Sequence, residues 1–136
     1  MEGNDLSTYS EEMIIVILEG VLVAPKFVGK VRRKLAPADD WPWQILPLKR
    51  VTDMARLNVS VEIATFISQD VADAAADWLL KYDIPFSDVT YYDFNTFTQT
   101  LILRSNIRGV YDADPQRFMR YGQRGVACVY GEDFHG

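Results

Sequence analysis

Two features of the sequence are best placed to do chemistry. One is the acidic run Asp112-Ala113-Asp114-Pro115 after the apolar stretch Ile107 to Tyr111, and the other is Glu19 at the end of an earlier apolar run. Carboxylate oxygens at strand ends suit a hard cation such as magnesium. Asp114 also has a plainer use, because it can cap a helix whose first residue is the preorganised Pro115. Glu19 could equally be a solvated residue at a strand end. Asp70, Asp73 and Asp77 share one side of a helical pattern and read as a solvated face rather than a metal site. The basic cluster Lys26, Lys30, Arg32, Arg33 and Lys34 could steer an anionic ligand, but is read first as a solvated loop. Cys128 and His135 are each the sole residue of their type, so no Cys/His zinc set exists. There is also no Gly-rich phosphate loop and no placeable Ser-His-Asp set.

These residues must be positioned by the elements around them. Met13 to Leu18 is a continuous β-branched apolar run, as in a strand buried on both faces of a parallel sheet. Val59 to Thr65 reads as a second strand, followed by Ser68-Gln69-Asp70, which can start a helix. Val71, Ala74, Ala75, Trp78 and Leu79 follow the i, i+3, i+4, i+7, i+8 pattern of one helix face. Val89 to Tyr92 and Ile107 to Tyr111 read as further strands, with a Thr-rich helix over Phe97 to Arg104 between them. A short helix with Phe118, Met119 and Gly122 follows Pro115, Gly125 stops it, and Val126 to Tyr130 supplies a last strand. Pro25, Pro37, Pro42 and Pro47 divide a long loop from a helix at Leu48 to Leu57. Trp41 and Trp43 could line a ligand surface, but are expected to fold onto the core. Met54, Trp78, Phe118 and Met119 lie at helical spacings and are assigned to the core as well. The alternation of strand and helix predicts a parallel sheet covered on both faces, with ligands beyond the carboxyl ends of the strands.

The length suits one domain, and 49% hydrophobic with 24% charged residues is the composition of a folded chain. We read residues 1–12 as an N-terminal segment to which any disorder would be confined, and 13–136 as a single domain. A net charge of −5, with dispersed basic residues, argues against nonspecific nucleic-acid binding. One cysteine allows no internal disulfide. The acidic opening and the interruption of the Met13–Ala24 run by Glu19 and Gly20 predict a cytoplasmic protein without a membrane span.

The segment Ile14-Ile15-Val16-Ile17-Leu18-Glu19-Gly20-Val21-Leu22-Val23 resembles the first motif of haloacid-dehalogenase-like phosphatases. In that family the motif is an apolar strand followed by Asp-x-Asp. The first aspartate attacks phosphorus and the second protonates the leaving oxygen; Ile17 and Glu19 stand at those positions here. Ile63-Ala64-Thr65 is similar to the second motif, and the resemblance carries phosphate binding to Thr65. Trp78-Leu79-Leu80 and Ile84-Pro85-Phe86 also resemble the family's helix and the turn that follows it. The third motif's lysine is missing. Lys81 is the last lysine in the chain, which leaves Arg104 or Arg108 as substitutes, neither at the family's spacing. Val110 to Pro115 is similar to the fourth motif, in which the acidic pair, here Asp112 and Asp114, holds magnesium. Met119 to Phe134, with its Gly-x-x-Cys and Gly-x-Asp-Phe elements, resembles the ending of polynucleotide-kinase 3′-phosphatase domains of the same superfamily.

The resemblance implies a three-layer Rossmann-like α/β fold with a mostly parallel central sheet and minimal or no cap domain. It also implies magnesium as the cofactor, if the site takes one. Isoleucine cannot attack phosphorus, and the missing lysine and acid remove charge stabilisation at the developing oxyanion. The first expectation is therefore a catalytically inactive phosphatase-fold protein that binds a protein partner or a phosphorylated ligand near Thr65. The second is a weak magnesium-dependent phosphohydrolase acting on a phosphomonoester or polynucleotide end, with Glu19, Asp112 and Asp114 holding a metal that activates water directly. A third is an oligomer-forming or partner-regulating module with an exposed patch of Trp41, Trp43, Tyr91 and Tyr92.

Overall fold

The computed structural model describes residues 12–24, 37–104, 106–123, 125 and 127–130. The expectations for residues 1–11, the basic cluster at 26–34 and the Gly-x-Asp-Phe ending lie outside these. The strands are β1 (Met13–Ile17), β2 (Ser60–Thr65), β3 (Asp88–Tyr91), β4 (Ile107–Asp112) and β5 (Cys128–Tyr130). The helices are α1 (Ile45–Arg56), α2 (Gln69–Lys81), α3 (Phe94–Leu103) and α4 (Pro115–Gln123).

The sheet runs β3-β2-β1-β4-β5, and every neighbouring pair is parallel. β1 sits at the centre because its side chains are apolar on both faces. Ile14 and Val16 pack with Val61, Ile63, Val51 of α1 and Val71, Ala75 and Leu79 of α2. Ile15 and Ile17 pack with Ala64, Val110, Phe97 and Leu101 of α3 and Tyr121 of α4. A period of two along one strand therefore fills two cores, which gives the three-layer, Rossmann-like arrangement. Chain order reverses between β1 and β4, so their carboxyl ends flank the crevice where open α/β sheets place their sites.

Several local readings need correction. Pro47 lies inside the first turn of α1, where a missing N–H costs nothing, so the helix begins at Ile45 rather than after the proline. α3 begins at Phe94 because Asp93 caps it, accepting from Thr96 N at 3.4 Å. Its threonines are tolerated because Thr98 and Thr100 hydroxyls donate to the Asn95 and Thr96 carbonyls. Met119 is 63% exposed, and Tyr121 takes the core position on α4 instead. Trp41 is buried and Trp43 stacks on Trp78 at 4.0 Å, which removes both from any exposed patch with the Tyr91-Tyr92 pair. Tyr92 is itself half-buried, and its hydroxyl donates to Glu62. No helix among the described residues is long and apolar enough to cross a membrane.

Candidate functional site

The end of β1 sets the floor of the site. After Ile17 the chain turns tightly through Leu18–Leu22, with Gly20 at φ 95°, a left-handed conformation that suits a residue without Cβ. The turn closes through Gly20 N donating to Val23 O at 2.8 Å and Val23 N donating to Leu18 O at 3.0 Å. Gln44 fastens it from outside, its amide donating to Val21 O at 2.9 Å. Ile17, at the nucleophile position of the resemblance, is fully buried and packs in the cluster that contains Phe97 and Tyr121.

The turn drives Glu19 inward. Its Oε2 accepts from Phe66 N at 2.9 Å, while Oε1 is buried without a hydrogen-bond partner among the described residues. Burial pushes the Glu19 carboxyl above its ordinary value. The Phe66 and Glu19 amides, the Thr65 hydroxyl and the Arg117 charge oppose that rise without cancelling it. Thr65, the last residue of β2, is fully buried, and its Oγ1 accepts from Ile67 N at 3.1 Å. That bond shapes the turn into α2.

At the end of β4, Asp112 is fully buried and both its oxygens are engaged. Arg117 donates to it in a fork, Nε to Oδ2 at 2.7 Å and Nη2 to Oδ1 at 3.0 Å. Tyr121 OH donates to Oδ2 at 2.7 Å, and Asp114 N donates to Oδ1 at 3.0 Å. Asp114 caps α4, its Oδ1 accepting from Gln116 N at 2.9 Å, and pairs with Arg117 Nη1 through Oδ2 at 3.2 Å. Burial works against the Arg117 charge, but hydrogen bonding and attraction to Asp112 outweigh it and hold the guanidinium above its ordinary value. Burial and then the Asp112 charge raise the Tyr121 phenol, so it stays a donor. The Arg117 guanidinium also lies 4.8 Å from the centre of the Phe66 ring. Phe66 therefore joins the two halves, its amide on Glu19 and its ring on Arg117.

Arg117, Phe66 and Tyr121 are the site residues that sequence reasoning missed. A signal was present: Arg117 and Tyr121 lie one helical turn apart, on a helix that starts directly after Asp112. The two arginines named as substitutes for the missing lysine are elsewhere. Arg104 pairs with Glu62 at 3.1 Å and Arg108 with Glu12 at 3.0 Å. Glu12 and Met13 mark the opposite end of β1, so neither arginine reaches the Glu19–Asp112 region. Tyr92 OH donates to the Glu62 carboxylate of the first pair, and burial and then Glu62 push its phenol up to about 12, so it keeps its proton and remains a donor.

The residues present do not fit magnesium. Among the described residues no group of three or more His, Cys, Asp or Glu could hold a metal ion. Asp112, the best oxygen donor by position, already accepts from four N–H or O–H groups, and a guanidinium beside it repels a second cation. The arrangement can do one thing well, which is to fix the ends of β1, β2 and β4 to the start of α4.

No family model matches the chain, and no curated protein matches it. Solved structures do. A chain in the structure of a Pnkp1/Rnl/Hen1 complex is 16% identical with a TM-score of 0.70, over 89% of this chain and 46% of that one. A chain in the structure of the Pnkp1/Rnl/Hen1 RNA repair complex is 15% identical with a TM-score of 0.70, over 96% of this chain and 44% of that one. The chain thus spans less than half the length of these structural relatives, and at such identities what it shares with them is the three-layer α/β fold.

Proposed function

We propose that this chain is a noncatalytic phosphatase-fold domain of the haloacid-dehalogenase-like type, acting as a binding component of a protein assembly. One observation carries the reading: the cradle is closed by its own side chains. Ile17 fills the nucleophile position with a buried alkyl group, and Arg117 and Tyr121 consume the Asp112 carboxylate. A phosphorylated ligand finds little there. Thr65 is buried, its oxygen accepting from Ile67 N and its hydroxyl serving the Glu19 carboxyl, and the charges of Asp112 and Asp114 exceed that of Arg117 by one. The likeness to chains of an RNA repair complex supports a protein partner over a small phosphate ligand.

The test is turnover of 4-nitrophenyl phosphate and of a 3′-phosphorylated oligonucleotide with magnesium or manganese. Native chain, Glu19→Ala and Ile17→Asp are compared. All three are expected to be silent, because restoring one carboxylate leaves Asp112 occupied and the lysine absent. Native turnover that Glu19→Ala abolishes would replace this reading with that of a metal-dependent hydrolase.

A further inference from the structure

Arg117 gives more to this site than a surface ion pair requires. Its Nε, Nη1 and Nη2 all bind carboxylate oxygens, on two aspartates that flank a single strand end. Its side chain is 23% exposed, against 0% for Asp112, so the pair sits where charge must be balanced locally. The guanidinium is clamped from a third side by the Phe66 ring. Asp114 fixes the start of α4, and thereby the position from which Arg117 reaches back.

We propose that Arg117 is the resident cation of this site. It does between Asp112 and Asp114 the neutralising work that a divalent ion would do, so the carboxylate pair is a cation position filled by the protein itself. This rests on the reading of a closed cradle, but says something separate: what closes it is one positive charge, and removing that charge uncovers affinity for a metal. A hard divalent ion is the chemical class that two carboxylates would then take.

The experiment titrates Mn2+ alone into the native chain, Asp112→Asn, Arg117→Ala, and Arg117→Ala combined with Asp112→Asn. Bound ion is read by electron paramagnetic resonance, and thermal unfolding is followed in parallel. Arg117→Ala is expected to bind Mn2+ at least about tenfold more tightly than the native chain and to unfold at a higher temperature when Mn2+ is added. The double variant should lose both gains. A folded Arg117→Ala with no tighter Mn2+ binding overturns the proposal, as does native Mn2+ binding that Asp112→Asn removes. If Arg117→Ala does not fold alone, circular dichroism during the titration decides: recovery of the helical signal supports the proposal and no recovery overturns it. Turnover by the native chain would instead sink the noncatalytic reading, whatever Mn2+ does to the variants.

Discussion

Two buried carboxylates at adjacent strand ends meet opposite fates. Asp112 accepts from four donors, while Glu19 has one oxygen on the Phe66 amide and the other without a hydrogen-bond partner among the described residues. For Glu19 this has a pH consequence. Burial first, moderated by its hydrogen bonds and Arg117, raises its folded value above the ordinary 4.5. Below 4.5 both folded and unfolded chains hold the proton, and Glu19 costs nothing. As pH rises past that value, the unfolded state releases its proton before the folded state does, so stability falls until the folded value is passed. Replacing the carboxyl with an amide of the same shape removes that loss. Glu19→Gln is therefore expected to gain on the native chain as urea unfolding is moved from pH 4 to neutrality. A difference between the two that does not change with pH would show that Glu19 is not desolvated.

Helices α2, α3 and α4 are each started by a short polar side chain, and two of these three caps were legible in sequence. Ser68 was recognisable as the start of α2, and its Oγ accepts from Val71 N at 3.2 Å. Ser68→Ala should cost about 1 kcal/mol of unfolding free energy, with Ser68→Asp close to native, as measured by urea denaturation. An alanine variant as stable as native would mean that the packing of Val71, Ala75 and Leu79 alone fixes the helix start. Asp114 and Pro115 were legible for the same reason, since capping is a local matter. What sequence missed at this scale depends on packing. Phe118, Met119 and Tyr121 are all apolar or aromatic residues of α4, and only contact with Phe97 and Asp112 selects Tyr121 as the one turned inward. The site was harder still to read, because Glu19 meets Phe66 across 47 residues and Arg117 carries no family spacing to mark it.

At the scale of the whole molecule, alternation along β1 already implied two cores, and the sheet order places the β1 and β4 ends side by side. Residues 37–44 are rich in proline and tryptophan and are built into one of those cores, as expected for Trp41 and Trp43. Trp41 is 4% exposed, and Trp43 stacks on Trp78 of α2 with rings 4.0 Å apart and 7° from parallel. Trp43 Nε1 donates to Ala38 O at 2.8 Å, Lys81 pairs with Asp39 at 3.0 Å, and Gln44 N donates to Leu22 O at 2.8 Å in the turn that carries Glu19. The segment thus links α2 to the site turn, and it should unfold with the sheet rather than before it. Closely stacked indoles couple excitonically and give a paired far-ultraviolet circular dichroism band distinct from the helical signal. The native chain is expected to show that band, Trp43→Phe to lose it, and its thermal loss to coincide with loss of helix in a single transition. A band that melts at a lower temperature than the helices would make residues 37–44 a separate unit, and would detach the turn bearing Glu19 from the cooperative core that is argued to hold it.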